Sequence, residues 1–94
     1  MVIGICTLEL SLAGVRSLKD KRRIIKSLTV RLRREFNVSV AEVGTLDRWD
    51  WSVVGVACVS NDRDYVEGLM ARVARWVDES RMDLSLIDYQ TEIL

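Results

Sequence analysis

Residues Val38 to Ser60 read VSVAEVGTLDRWDWSVVGVACVS, two valine-rich runs separated by a short polar turn. Val38–Leu46 and Trp51–Ser60 have the composition of strands, and the Asp47-Arg48-Trp49-Asp50 link is too short to cross a sheet. The pair is therefore expected to be an antiparallel hairpin. What lies on either side of that hairpin decides the architecture. Upstream, Leu18, Ile25, Leu28, Leu32 and Phe36, with Ile24 beside them, trace one stripe of an amphipathic helix ending near Phe36-Asn37. Ser17 is placed to cap it, with Asp20 as a weak third member of a capping box. Further upstream, Val2–Leu12 alternates with a period of two: Val2, Gly4, Cys6, Leu8, Leu10 and Leu12 share one face. Downstream of the hairpin, Ser60-Asn61-Asp62 supplies a cap, and Asn61 is read as the capping residue. Val66, Leu69, Met70, Val73 and Val77 then mark a second helix running to about Ser80. Leu84–Ile93 reads as a last strand.

The order β-α-β-β-α-β is the split-βαβ, ferredoxin-like arrangement, an α+β sandwich. Both helices are expected on one face of a four-stranded, mostly antiparallel sheet, with the first and third strands central and parallel. The run Val53–Val59 is apolar on both sides, and so is the start of the first strand. A central strand without a polar face implies that the open side is covered, and a second copy of the chain is the simplest cover. A homodimer is expected on this ground.

Ninety-four residues, 49% hydrophobic and 30% charged, suit a single globular domain over 1–94 rather than a disordered chain. No apolar run reaches the roughly 18 residues that span a bilayer. The first dozen residues lack the charged start and cleavage site of a signal peptide, so a cytoplasmic protein is expected. Cys6 and Cys58 each sit inside an apolar run and read as buried thiols. The absence of histidine removes the commonest general base and the commonest metal ligand together. Neither a metal nor another cofactor is expected.

A net charge of zero hides an asymmetry: Arg16 to Arg34 carries nine basic residues and one acid, Asp20. At 100° per residue Lys19, Arg22, Lys26 and Arg33 fall together, flanked by Arg23 and Arg34, on an arc of roughly 120°. The arc runs beside the apolar stripe along a helix of about 28 Å. Cations crowded at the helix start oppose the peptide dipoles by about 0.3–1 kcal/mol each. Stability therefore does not explain them, whereas a docked phosphate would. Lys19, Lys21, Arg22, Arg23, Lys26, Arg33 and Arg34 are the expected nucleic-acid contacts. The competing reading is neutralisation within the fold by Asp62, Asp64, Glu67, Asp78 and Glu79 of the second helix.

Other sites are weaker. Trp49 and Trp51 among charges suit stacking on unpaired bases, although such tryptophans more often anchor a hairpin or a dimer contact. The central strands lack the aromatics with which RNA-recognition sheets of this topology stack bases. Arg16, in the loop Ala13-Gly14-Val15-Arg16-Ser17, resembles the anion-binding arginine of acylphosphatases. With Asn61 it would suit a small acyl-phosphate hydrolase, the least favoured reading. No nucleophile or metal shell accompanies Asp47 and Asp50, so no catalytic residue is assigned.

SLKDKRRIIKSL (Ser17–Leu28), RLRREFNVSVAEV (Arg31–Val43), GVACVSND (Gly55–Asp62) and DYQTEIL (Asp88–Leu94) together resemble the YlxP-like bacterial proteins over essentially the whole chain. The resemblance implies the same ferredoxin-like fold. It also implies a gene setting among translation genes, near initiation factor two and the ribosome-binding factor A, and no established catalytic residues. The stretch TLDRWDW, Thr45–Trp51, departs from the usual run of such proteins. The resulting expectation is a non-enzymatic RNA- or ribosome-associated accessory protein. A homodimeric interaction module using the open sheet face is the alternative.

Overall fold

The computed structural model describes residues 1–80 and 82–94. Its elements are β1 (Val2–Ser11), α1 (Leu18–Glu35), β2 (Ser39–Gly44), β3 (Trp51–Ser60), α2 (Arg63–Asp78) and β4 (Ser85–Ile93). The strands form one sheet in the order β2-β3-β1-β4. This is the expected ferredoxin-like α+β fold.

One expectation is corrected. β1 and β3 are the central pair, but they run antiparallel, in register from Val2 opposite Ser60 to Ser11 opposite Trp51. The hairpin turn makes β3 antiparallel to β2, and the α1 crossover makes β2 parallel to β1. A strand inserted between those two must therefore oppose both. Every neighbouring pair in the sheet is antiparallel.

The core lies between one sheet face and the two helices. Cys6, Leu8, Leu10 and Leu12 meet Val54, Val56 and Cys58 on the sheet side, under Leu28 and Leu32 of α1 and Val66, Met70 and Val73 of α2. Burial holds Cys6 above the ordinary thiol pKa, the Thr91 hydrogen bond pulling less strongly the other way. This thiol therefore stays protonated at neutral pH, and both cysteines are free.

Ser17 caps α1 as expected, its Oγ accepting from Asp20 N–H at 3.1 Å. The cap of α2 is Asp62 rather than Asn61: Asp62 Oδ1 accepts from Tyr65 N–H at 3.2 Å. Ser60 Oγ holds the Asp62 N–H at 3.2 Å, which leaves Asn61 in the exposed bend before the helix.

Gly4 is where α2 comes closest to the sheet. A Cβ there would overlap Val66 Cγ1 and lie 3.2 Å from both Cys58 Sγ and Met70 Cγ. Gly4→Ala is expected to cost about 1–3 kcal/mol through overpacking. The readout is a lower urea midpoint at unchanged slope. An unchanged midpoint would show that α2 is free to lift away from β1.

Candidate nucleic-acid interface

The solvent face of α1 follows directly from its sequence. Leu18, Ile24, Ile25, Leu28 and Leu32 turn one side of the helix to the sheet, and the residues between them face outward. Lys19, Arg22, Arg23, Lys26, Arg33 and Arg34 are all exposed on the outer side. The structure thus brings together the six residues of the predicted arc.

Their charges are largely unopposed. Arg23 Nη2 lies 3.9 Å from Asp20 Oδ1, a long contact between two exposed groups that carries little energy. Arg33 donates from Nη2 to the Val40 carbonyl at 2.8 Å, which orients the guanidinium and leaves its charge intact. Among the described residues no carboxylate lies within 4.0 Å of Lys19, Arg22, Lys26, Arg33 or Arg34. The acids of α2 do not reach across to this face: Glu67 instead pairs with Arg63 on its own helix at 3.2 Å.

Arg31 was missing from the expected set. It is exposed, and with Arg23, Lys26, Ser27, Val30 and Arg34 it lines a shallow cleft of about 410 Å3. Its angular position, 120° from Lys19, put it outside the arc.

Lys21 is the reverse case, and its assignment as a phosphate contact is corrected. It is 1% exposed and points into the protein. Helical geometry accounts for this, since Lys21 stands 200° from Lys19 and on the side of Leu28 and Leu32. Its Nζ lies 2.9 Å from Glu42 Oε2 and donates to the carbonyls of Thr45, at 2.6 Å, and Arg48. Ser52 Oγ donates to the same Glu42 oxygen at 2.6 Å. A buried ammonium needs an opposite charge and filled hydrogen-bond positions, and this one has both.

Lys21 thereby ties the β2–β3 turn to the start of α1. Leu12 N–H adds a second tie, donating to the Asp50 carbonyl at 2.9 Å. Within the turn Thr45 has φ 58, a left-handed conformation that a β-branched residue adopts at a cost of roughly 1–2 kcal/mol. Its hydroxyl donates toward the carbonyls of Gly44, at 2.6 Å, and Trp51, at 3.2 Å. The left-handed residue and the bulge between Glu42 and Gly44 end β2 at Gly44, short of the expected Leu46. Arg48 holds Asp50 through both oxygens, at 2.9 and 3.0 Å. That hydrogen-bonded pairing lowers the Asp50 pKa and raises that of Arg48. The same guanidinium sits 6.0 Å from the ring centre of half-buried Trp51. Trp49 is 51% exposed.

Arg16 and Asn61 do not form a common site. Arg16 follows the end of β1 and Asn61 the end of β3, and those strands are antiparallel over their whole length. The two residues thus stand at opposite ends of the sheet, about 30 Å apart at the rise of a strand. They cannot hold one phosphate. Among the described residues no three His, Cys, Asp or Glu side chains gather as a metal site. Nor is any helix long and apolar enough to cross a membrane.

Residues 3–91 match the family described as protein of unknown function, DUF503. The chain is also similar to the uncharacterized protein YlxP of Bacillus subtilis (strain 168). The two are 35% identical over 77 residues, which span 82% of this chain and 84% of that protein.

Proposed function

We propose, from the premise that this chain belongs to the DUF503 family of proteins of unknown function, that it is a non-enzymatic RNA- or ribosome-associated protein that docks phosphates on the outer face of α1. One observation carries the reading: the exposed cations of that face are gathered on one arc, and among the described residues Arg23 alone of them has a carboxylate within 4.0 Å, the exposed Asp20 at 3.9 Å. Lys19, Arg22, Arg23, Lys26 and Arg34 are the phosphate contacts, with Arg31 lining a cleft together with Arg23, Lys26 and Arg34, and Arg33 oriented by Val40. Lys21 acts behind them as a structural tie. The test is capture of the tagged protein from cells with and without nuclease, alongside RNA titrations of the wild type and of Arg22→Ala/Arg23→Ala. Ribosomal particles that co-purify and vanish on nuclease treatment support the reading. No RNA binding at low salt, or binding indifferent to the double substitution, sinks it.

A second reading rests on the opposite side of the molecule. Val59 and Val43 are 65% and 60% exposed, beside half-buried Ile3, Ile5, Val53 and Ala57 on the sheet face away from the helices. Toward β4 the same face turns acidic, with Glu9 directly opposite Asp88. The apolar part is suited to a second copy of the chain, and a standard interface buries about 800 Å2 on each partner. Sedimentation of the wild type is expected to show a dimer, and Ile5→Asp a monomer. A wild type that stays monomeric at high concentration removes this reading without touching the first.

A further inference from the structure

We infer that the β2–β3 turn is a base-stacking site, and that the RNA taken by this protein is single-stranded, with one unpaired base on Trp49 and its backbone along the basic arc of α1. The inference rests on the reading of that arc as a phosphate surface. It names the form of RNA that the surface accepts.

Position is the first ground. Lys21 holds the carbonyls of Thr45 and Arg48, so the residue preceding Trp49 is fixed to the first turns of α1. Lys19 and Arg22, on either side of Lys21 in sequence, face solvent from those same turns. The turn is also closed on itself, Arg48 N–H donating to the Thr45 carbonyl at 3.1 Å. It is tied to the end of β1 through Leu12 and Asp50, at 2.9 Å. An exposed indole is thus carried on a braced support at the end of α1 where the row of cations starts.

The packing of the three tryptophans is the second ground. Trp76 stands edge-on to Phe36, with ring centres 6.3 Å apart, and Trp51 lies half-buried beneath the Arg48 guanidinium. Each of those rings has a partner in the fold. Trp49 is half exposed and lines a cleft of about 170 Å3 with Asp47, Arg48 and Asp50. That is small beside the roughly 300–1,000 Å3 of drug-sized ligand sites, and suits a single planar ring.

Charge supplies the third. Asp50 is occupied by Arg48, whereas Asp47 is exposed and without an ion-pair partner among the described residues. A carboxylate in the cleft repels phosphate and accepts hydrogen bonds from base N–H groups. The turn thus selects a base, and α1 selects the backbone. A base inside a duplex is stacked on both faces and cannot lie on the indole, which excludes paired RNA from this site.

The experiment compares a short RNA without self-complementarity and the same strand annealed to its complement, titrated against wild type, Trp49→Ala and Trp49→Phe. Trp49 is exposed in a turn held by other residues, so these variants are expected to fold. Trp49→Ala should bind the single strand roughly 5- to 150-fold more weakly. Its residual binding to the duplex should match that of the wild type. Trp49→Phe should retain most of the affinity while losing the fluorescence quenching that the single strand causes in the wild type. Equal single-strand affinity of wild type and Trp49→Ala overturns the stacking site and leaves the phosphate surface standing. Failure of the wild type to bind either RNA overturns both.

Discussion

Lys21→Met is expected to destabilise the protein by about 3–5 kcal/mol, the usual loss when one partner of a buried ion pair is removed. The methionine fills the space of the stem, so the loss is electrostatic rather than a cavity. It leaves Glu42, whose side chain is 14% exposed, with only the Ser52 hydroxyl. It also strips a charged donor from the Thr45 and Arg48 carbonyls. In a domain of this size each kcal/mol lowers Tm by roughly 4–8 °C, so a fall of more than about 12 °C is expected. Lys21→Met combined with Glu42→Leu should recover part of the loss, because the stranded carboxylate is then gone. The two orphaned carbonyls keep the recovery incomplete. Lys21→Arg should not rescue, since a planar fork cannot take the place of a compact ammonium among three converging oxygens. Urea unfolding of the four members of this cycle measures the coupling. A loss below about 1 kcal/mol for Lys21→Met would mean that water or a shifted turn replaces the tie.

The same residue shows where sequence reading succeeds and where it stops. Alternation in Val2–Leu12 and the stripe of Leu28 and Leu32 were legible because burial of apolar surface is periodic and local. The Val38–Ser60 hairpin between two such helices was then enough to determine the fold. Strand direction in the central pair, antiparallel rather than the expected parallel, is not a local property and follows from counting reversals along the chain. Lys21 was hidden for another reason: its charge matched its neighbours in SLKDKR, and only its angle separated it from them. Its partners, Glu42 and two carbonyls of the turn, lie more than twenty residues away, beyond any local pattern. Asn61, read as the cap, is by type as good a capping residue as Asp62, and the structure gives the role to Asp62, whose own N–H is held by the Ser60 hydroxyl. That the acids of α2 leave the arc unpaired could not be read from the sequence either. The acids of α2 are numerous enough to neutralise it, and only the packing shows that they face elsewhere.

RNA affinity is expected to fall roughly a hundredfold between about 50 and 200 mM salt. Five phosphate contacts at Lys19, Arg22, Arg23, Lys26 and Arg34 give a slope of about −3.5 in log affinity against log salt, at roughly 0.7 per contact for a single strand. Replacing Lys19, Arg22 and Lys26 by alanine should reduce that slope to about −1.4 and weaken binding most at low salt. Arg72→Ala, on the exposed face of α2, should change neither. Stability provides the companion measurement. Lys19 lies in the first turn of α1, where the dipole disfavours a cation by about 0.3–1 kcal/mol, and alanine is the better helix former. The triple variant should therefore unfold at the same urea concentration as the wild type or a higher one while losing its RNA. Loss of binding without loss of fold is what a surface kept for a ligand predicts. A surface kept for stability predicts the opposite order of effects, and a salt slope unchanged by the three substitutions would place the contacts on some other face.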